Sequence, residues 1–279
     1  TVSMAEGLHA APWEHLLRGE PPVAGSHVAR CAGTYLATQM ESGHGCPITM
    51  THAAVPTLLG EPSIAKAWLP KILSRTYDPR CRPLEEKTSV TLGMGMTEPQ
   101  GGTDVRTNTT AATPISAPGP GQRYEINGHK WFMSAPMCDA FVILAQTPRG
   151  LSCFLLPRWR DDGGINGIQF RRLKSKLGNR SNASSEVDFV TAEARMIGED
   201  GRGIPAIMEM VAHTRLDCAI ASAALMRLAS AGRIACRLWR LRSVALAGSR
   251  CLCQWMLLMR SQWRTGSGRR KRHSVPYRS

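Results

Sequence analysis

The spacing of hydrophobic and polar positions divides the chain into three regions. Up to about residue 75, segments such as "SHVARCAGTYLATQMESG" repeat apolar groups every three or four residues, which predicts helices. From about Ser89 the pattern changes to short apolar runs that predict strands: "SVTLGMGM", "AFVILAQT", "LSCFLLP", "IQFRRLKSKLGN" and "SSEVDFVTA". Near Gly203 the helical spacing returns in "AIMEMVAHTRLDCAIASAALMRLASA". The pattern therefore predicts helices, then a compact sheet region, then helix again.

Two local signals predict how the strands connect. The runs "AFVILAQT" and "LSCFLLP" are joined through Pro148-Arg149-Gly150, so we expect them to pair as core strands. Within "YEINGHKWFMS", the dipeptide Asn127-Gly128 lies between two strand-like runs, which is the strongest short hairpin signal. We therefore expect a hairpin turn at Asn127-Gly128.

The net charge of +14 is concentrated towards the C-terminal end of the chain. Residues 1–217 hold 22 Lys and Arg against 21 Asp and Glu, whereas residues 218–279 hold 13 Lys and Arg and no acid. No apolar run reaches the roughly 18 residues of a membrane span, and we find no signal peptide. Nine cysteines without framework spacing indicate reduced thiols and a cytoplasmic protein.

The glycine-rich stretch "GMGMTEPQGGTD", residues 93–104, fails both common phosphate-binding motifs. The dinucleotide fingerprint needs glycine where Glu98 stands, and a P-loop needs lysine where Gly102 stands. One interpretation is a turn between strands. The other is the edge of a cofactor site, because closely spaced glycines let backbone N–H groups approach a ligand. Glu98 and Asp104 would repel a phosphate, so we expect them to cap or brace the loop.

The segment "MTEPQGGTD" resembles the M-T-E-P-x-x-G-S-D signature of the acyl-CoA dehydrogenases. About thirty residues later, "GHKWFMS" resembles that family's G-x-K-x-W-I-T/S element, with Lys130 at the lysine and Phe132 at the aromatic position. Other stretches, including "CPITMTHAAVPTLL", "LKSKLGNRSNASSEVDF" and "HTRLDCA", are similar to the AidB branch, which is linked to the adaptive response to DNA alkylation. The resemblance runs from about Pro12 to about Arg227.

The resemblance implies an α+β fold that binds FAD between its domains. Its parts would be an N-terminal helical region, residues 1–88, and a middle β-sheet or β-barrel domain carrying the flavin motifs, residues 89–198. Residues 199–232 would be the first helix of a C-terminal helical bundle. Residues 233–279 would be an atypical basic tail. The helix, sheet and helix order of the hydrophobic pattern agrees with this arrangement.

The resemblance also implies which residues bind FAD. Thr97 and its neighbouring backbone would hydrogen-bond the pyrimidine edge of the flavin, and Gly102 and Thr103 would approach the pyrophosphate. Phe132 would pack near the flavin ring and Ser134 would reach N5, although alone they read as a core aromatic and a strand-end hydroxyl. The implied cofactor-binding set is Met94, Gly95, Met96, Thr97, Gly102, Thr103, Phe132, Met133 and Ser134.

The family reaction removes the α-proton of an acyl-CoA, or of a related small substrate, with a carboxylate base and passes the β-hydride to flavin N5. One family position for the base corresponds to Thr214, which cannot act as a base. The other position lies in the tail, and no acid follows Asp217, which we expect to be a satisfied helix acid. We therefore assign no catalytic residue. We also assign no metal ligand, because Cys251-x-Cys253 with His273 has no recognised zinc spacing.

The basic tail has three interpretations: translation in the wrong frame after about residue 230, a genuine arm whose "GRRKRH" contacts DNA phosphates, or divergence. The family's homotetramer contacts and part of its FAD site belong to the bundle that this tail replaces. We therefore expect weak FAD binding and no dehydrogenase activity from an incomplete chain. The alternative function is a DNA-associated protective flavoprotein. A further basic group is expected to be a solvated face: Arg171, Arg172, Lys174, Lys176 and Arg180.

Overall fold

Helices flank a set of strands in the part of the chain that the structure describes. The computed structural model describes residues 2–102 and 104–245, with side chains through Gly232. The helices are α1 (Val2–Ala5), α2 (His15–Arg18), α3 (Ser26–Met40), α4 (Gly45–Leu59), α5 (Pro62–Ile72) and α6 (Gly203–Ala245). The strands are β1 (Leu92–Thr97), β2 (Ala111–Pro114), β3 (Arg123–Ser134), β4 (Ala140–Thr147), β5 (Gly150–Pro157), β6 (Ile168–Leu173) and β7 (Ser184–Ile197). The predicted α+β class and its order of elements are confirmed.

The N-terminal helices are specified by local signals and by apolar faces. α5 has Pro62 in its first turn, and the Glu61 side chain accepts a hydrogen bond from the backbone N–H of Ser63. Apolar side chains at intervals of four, Ile64, Trp68 and Ile72, are buried. α4 is buried along most of its length, from Met50 to Leu58. A helix with little exposed surface must lie inside the fold, and α4 packs between α5 and the strands.

The strands close into a barrel. β1 pairs with β3, β3 with β7, β7 with β5, and β5 with β4, all antiparallel, and the parallel pairing of β4 with β1 completes the ring. β6 extends the sheet from β7. Closure removes the unpaired edges that an open sheet of these strands would leave. The pairing predicted for "AFVILAQT" and "LSCFLLP" is confirmed, since they form β4 and β5.

One position in the barrel is filled by two strands in succession. β1 lies between β3 and β4 at one end, where Gly95 pairs with both Met133 and Ile143. β2 occupies the same interval further along, where Ala111 pairs with Asn127 and Gln146. The chain must leave the barrel wall between these two strands and then return. The glycine-rich loop that follows Thr97 is that excursion, so its place is fixed by the barrel on both sides.

Two apolar cores share the β4 strand. Phe141 and Ile143 point into the barrel, where they join Tyr124 and Phe154. Alternate residues of β4, Val142 among them, pack instead with the cluster that contains α4, α5 and the start of α6. A strand buried on both faces reads as a continuous apolar run, which explains why "AFVILAQT" shows no alternation.

The hairpin predicted at Asn127-Gly128 is wrong. β3 continues through these residues from Arg123 to Ser134. The pairing of β3 with β7 shifts its register between Ile126 and Gly128, where β7 carries one extra residue, so the dipeptide lies in a continuous strand opposite a bulge of β7 rather than in a turn. Glycine is required there by φ +153° and by close approach, because a Cβ on Gly128 would lie 2.6 Å from Cα of Thr110.

The chain divides into two compact units at Met226. The second begins at Arg227, and its described part, residues 227–245, is helical. The predictions for the rest of the tail, including Cys251, Cys253 and His273, lie outside the described residues. Among the helices that the structure describes, none combines the length and the apolar character that a membrane crossing requires.

A buried ion pair joins three helices of the first unit. Arg30 on α3 donates two hydrogen bonds to the carboxylate of Asp217 on α6, at 2.7 and 2.5 Å, and both side chains are almost fully buried. Thr49 on α4 donates a third hydrogen bond to the same carboxylate at 2.6 Å. Asp217 is therefore satisfied, as the sequence predicted, and it fixes the position of α6 against α3 and α4.

We expect Arg30→Met to lower the free energy of unfolding by about 3 to 5 kcal/mol, because the Asp217 carboxylate would stay buried without its partner. The double variant Arg30→Met with Asp217→Leu should lose clearly less. Arg18→Met is the control, since the pair of Arg18 with Glu20 is half exposed and should change stability by less than about 1 kcal/mol. Urea unfolding followed by circular dichroism gives these values, and strict additivity of the two buried substitutions would contradict the assignment.

Candidate flavin-binding face of the barrel

The two sequence motifs lie side by side because β1 pairs with β3. Met94 pairs with Ser134 and Gly95 with Met133. The strands approach closely at this point, since a Cβ on Gly93 would lie 2.5 Å from the carbonyl oxygen of Ser134. Glycine at position 93 therefore lets β1 approach β3 closely at Ser134, the last residue of "GHKWFMS".

A bulge in β1 turns Thr97 towards the same face as Ser134. Thr97, rather than Met96, pairs with Phe132, so β1 carries one extra residue. Directly paired residues in antiparallel strands share a face, and Phe132 shares its face with Ser134 two positions along. In a regular register Thr97 would point to the opposite side of the sheet. The bulge thus brings together two hydroxyls that the resemblance assigns to the flavin.

A second bulge, in β3, puts two consecutive aromatic residues outside the barrel interior. Between the pairs of β3 with β7, Trp131 and Phe132 oppose a single residue. Lys130 and Met133 on either side are completely buried, whereas the Phe132 side chain is 41% exposed. The exposed Phe132 side chain leaves apolar surface available to a ligand.

Lys174 lies over both aromatic rings. Its Nζ is 3.3 Å from the ring centroid of Trp131 and 4.6 Å from that of Phe132. The same Nζ donates a hydrogen bond to Glu186 at 2.6 Å. The cation is thus held by an acid and by two π faces, which fixes the aromatic pair in place.

A buried ion pair lies beneath this face. Lys130 Nζ is 2.7 Å from Oε1 of Glu98, and the exposures of the two side chains are 0% and 1%. Glu98 also accepts hydrogen bonds from the backbone N–H groups and hydroxyls of Thr109 and Thr110. The prediction that Glu98 braces the loop is confirmed. The loop's other acid, Asp104, caps a short 3-10 helix by accepting from the N–H of Arg106, as expected.

The donors around Glu98 keep it ionised. Burial raises the pKa of this carboxyl, but the Lys130 ammonium and the donors of Thr109 and Thr110 outweigh burial and lower its pKa to about 2. Burial also lowers the pKa of Lys130, against the attraction of Glu98. The lysine and the glutamate of the two motifs therefore belong to the support of the site rather than to its surface.

The remaining predicted site residues divide between the two sides of the sheet. Met133 is buried in the barrel core, and Gly95 is buried against Met133, so only their backbone groups could meet a ligand. Met94 and Met96 are partly buried on the helical side.

In the loop after β1, Gly102 is exposed, and a Cβ there would lie 3.2 Å from Cγ2 of Thr97, so the glycine lets the loop fold over Thr97. Thr103 lies outside the described residues.

A cavity of about 430 Å³ lies near the end of β3 that carries Ser134. Residues that line it include Glu41, His44, Ile48, Tyr77, Met137 and Ser181. Beside it, the thiol of Cys46 hydrogen-bonds Ser134 and Asn182, while burial raises the pKa of that thiol. The lining combines apolar and polar side chains, as small-molecule sites do. Neither this cavity nor another of about 400 Å³ is lined by any of the predicted site residues that the structure describes.

The comparisons agree on one family. Residues 1–79 match the adaptive response protein AidB N-terminal domain, and residues 93–191 match the acyl-CoA dehydrogenase middle domain. The chain is 47% identical to AidB of Escherichia coli (strain K12) over 223 residues, which are 80% of this chain and 40% of that protein. It belongs to the acyl-CoA dehydrogenase family, on the AidB branch.

Relatives from an animal are also similar. Acyl-CoA dehydrogenase family member 11 of Caenorhabditis elegans is 36% identical over 193 residues, which are 65% of this chain and 30% of that protein. The crystal structure of C. elegans ACDH-11 in complex with C11-CoA has a TM-score of 0.69 at 31% identity, covering 81% of this chain and 38% of that chain. The chain thus spans well under half the length of these relatives. The domain limits at 88, 198 and 232 stay predictions.

Thr214 and Asp217, the two positions considered for a catalytic base, lie on α6. The Thr214 hydroxyl donates a hydrogen bond to the carbonyl of Val211 in its own helix. Asp217 is fully engaged by Arg30 and Thr49. The Asp217 carboxylate is thus held in an ion pair, and a threonine hydroxyl is not a base at neutral pH, so neither side chain is assigned a catalytic role.

The basic group on β6 and the loop after it is largely neutralised. Arg171 pairs with Asp188, and Arg172 and Lys174 pair with Glu186. Arg171 and Arg172 lie on a solvated face, as expected, whereas the prediction is wrong for Lys174, whose side chain is only 8% exposed. DNA binding stays a prediction, since the tail proposed for it lies outside the described residues.

Sequence reasoning missed three features of this face. The bulges in β1 and β3 depend on partner strands, so no local signal marks them. Trp131 is absent from the predicted cofactor-binding set, which contains its neighbour Phe132. Two adjacent aromatic residues in a strand normally point to opposite faces, so the pair was the available signal for a bulge. Lys174 is predicted to lie on a solvated face, but its long aliphatic side chain places the ammonium group over the rings of Trp131 and Phe132.

We expect Lys130→Met and Glu98→Gln each to destabilise the chain by about 3 to 5 kcal/mol, because each leaves one partner of a buried pair alone. The double variant should be less unstable than the sum of the two. Arg106→Met is the matched control in the same loop, since the pair of Arg106 with Asp104 is exposed. Urea unfolding measures all four. A control as unstable as the buried variants would show that the loop, rather than the buried pair, controls stability.

The low pKa of Glu98 also predicts a pH dependence. Its pKa is about 2 in the folded chain against an ordinary value of 4.5, so between these values the unfolded chain binds more protons. The stabilisation from Glu98 is complete above about pH 4.5 and is lost as the pH falls towards about 2. We expect the thermal midpoint to fall over this range, and to fall less in Glu98→Gln. Equal slopes in the two proteins would assign the acid sensitivity to other carboxyl groups.

Proposed function

We propose that the face formed by Thr97, Trp131, Phe132 and Ser134 binds the isoalloxazine ring of FAD. The observation that supports this most directly is the pair of bulges, which turns two hydroxyls and two aromatic rings towards one side of the barrel. Among the described residues, none hydrogen-bonds the hydroxyl of Thr97, so it is available to a ligand. The exposed part of Phe132, with hydroxyls at its edge, fits a flat, partly polar ring system.

The chain's own groups have separate tasks in this proposal. Thr97 and the backbone beside it donate hydrogen bonds to the pyrimidine edge, where donors stabilise the charge that reduction would add. Ser134, held by Cys46, would hydrogen-bond N5 of the ring. The Glu98 and Lys130 pair keeps both strand ends at a fixed separation. Bound FAD supplies the hydride acceptor for α,β-oxidation of an acyl-CoA.

The substrate class that we propose is an acyl-CoA. The cavity of about 430 Å³ is large enough for a short acyl chain and its thioester, and the Met4, Ile48 and Met137 side chains in its mixed lining suit an alkyl group. ACDH-11 of C. elegans, which is similar to this chain, was crystallised with C11-CoA. The whole protein's activity is therefore proposed as that of an acyl-CoA dehydrogenase.

We further propose that the described residues alone do not complete the reaction. Thr214 stands where the family resemblance places one possible base, and a threonine hydroxyl cannot take the α-proton at neutral pH. Asp217, one turn further along α6, is occupied by its ion pair. Weak FAD binding and a very slow chemical step are therefore expected of this chain.

Flavin titration tests the proposed face. We expect Thr97→Ala and Ser134→Ala each to weaken FAD binding by about five- to tenfold, the effect of one lost hydrogen bond. Thr113→Ala is the matched control, since it removes an exposed hydroxyl on β2 of the same barrel. Quenching of flavin fluorescence gives the dissociation constants. Equal weakening by the control, or none by either site variant, would contradict the proposal.

A gain of function tests the missing base. With FAD bound, addition of a short acyl-CoA should leave the flavin absorbance of the parent chain unchanged. Thr214→Glu installs a carboxylate at the proposed position, and we expect it to bleach the flavin faster than Thr214→Gln, which has similar size and no basic oxygen of that kind. Bleaching by the parent chain would show that another group removes the proton.

A further inference from the structure

Three histidines from three helices meet away from the flavin face. His27 lies on α3, His52 on α4 and His213 on α6, and one ring nitrogen from each lies within 4.8 Å of the others. The ring of Trp13 touches all three, at centroid distances of 4.8, 5.4 and 5.6 Å. These histidines are far apart in sequence and belong to no recognised motif, so only the packing of the three helices brings them together.

The inner member of the cluster has an unused nitrogen. His52 is 1% exposed, and its Nε2 is buried with no hydrogen-bond partner among the described residues. A buried ring nitrogen that lacks a partner is costly, so it indicates that something else binds there. His27 is exposed on α3, so the cluster opens to solvent on that side. A buried ligand nitrogen and an open entrance are both present.

The two contacts of His52 Nδ1 select different forms of the ring. Nδ1 lies 2.9 Å from Nε1 of Trp13 and 3.2 Å from the carbonyl oxygen of His9. The indole only donates, so it selects the ring with its proton on Nε2, whereas the carbonyl only accepts and selects the ring with its proton on Nδ1. The second form leaves the Nε2 lone pair free, which is the arrangement in which a metal-bound histidine donates its other N–H to a carbonyl.

The charge around the cluster favours neutral rings. Burial, with the Arg30 guanidinium nearby, lowers the pKa of His52 to about 2, and burial also lowers the pKa values of His27 and His213. Neutral imidazole is the form that binds metals. The positive charge of Arg30 is balanced by Asp217, which lies one helical turn from His213 and hydrogen-bonds Arg30 twice.

We propose that His27, His52 and His213 form a binding site for a divalent late transition metal ion of the zinc type. Three imidazoles with an open fourth position are a ligand set that zinc takes in proteins. Zinc to nitrogen bonds of about 2.0 to 2.1 Å bring ligand nitrogens to about 3.3 Å of one another. The exposed His27 ring closes this gap by a rotamer change, and His52 Nε2 binds from inside as its Nδ1–H turns to the His9 carbonyl.

Titration of the full chain with cobalt(II) chloride tests the site, since Co²⁺ reports its ligands by absorption. We expect a tetrahedral d–d spectrum without the thiolate charge-transfer band that the chain's cysteines would give. His27→Gln should weaken Co²⁺ binding at least about tenfold, and because His27 is exposed this change leaves the core intact. His213→Gln should act alike. His129→Gln, on the barrel, is the matched control and should bind as the parent does.

Trp13→Phe provides an opposite test of the same site. It removes the indole donor that competes for His52 Nδ1, so Co²⁺ should bind at least as tightly as to the parent. The proposal is overturned if His27→Gln binds Co²⁺ like the parent, if the spectrum shows thiolate ligands, or if His129→Gln weakens binding as much as His27→Gln. A loss in Trp13→Phe equal to that in His27→Gln would also overturn it.

Discussion

The buried pair of Glu98 and Lys130 is the constraint on which the rest of the site depends. Two charges at almost zero exposure are stable only when their hydrogen-bonding capacity is filled. Here Glu98 directly after β1, Thr109 and Thr110 directly before β2, and Lys130 in the middle of β3 supply the groups. The pair therefore fixes where the glycine-rich loop leaves the barrel and where it returns. Thr97 and Trp131, the neighbours of these two residues in sequence, are then necessarily held on the outer side.

The order of elements and most of the strands could be predicted from the sequence because hydrophobic periodicity is a local property. β4 and β5 are apolar on both faces, which only a covered strand can be. The dipeptide Asn127-Gly128 misled the prediction because its hairpin propensity is overridden by the partners of β3. β7 pairs along the length of β3, and Thr110 occupies the space beside Gly128, so a long bulged strand is the lower-energy choice.

The candidate site was predictable only as far as residues are marked by motifs. Thr97, Phe132 and Ser134 could be named from the family resemblance, but their common face is created by two bulges whose register is set by strands distant in sequence. The motif also named Met133 as a site residue, but its side chain lies in the barrel core. The three histidines and the Arg30 to Asp217 pair had no motif at all, because each depends on how α3, α4 and α6 pack.

Asp217 anchors α6 to the neighbouring helices and is not available as a catalytic base. The Asp217 carboxylate is buried and accepts three hydrogen bonds from Arg30 and Thr49, so its charge is held in an ion pair rather than presented to a substrate. One turn earlier, Thr214 returns its hydroxyl to its own helix. The acid on this helix thus holds α6 against α3 and α4, and the same contact places His213 beside His27 and His52. A single buried carboxylate thus positions the helix without serving as a base.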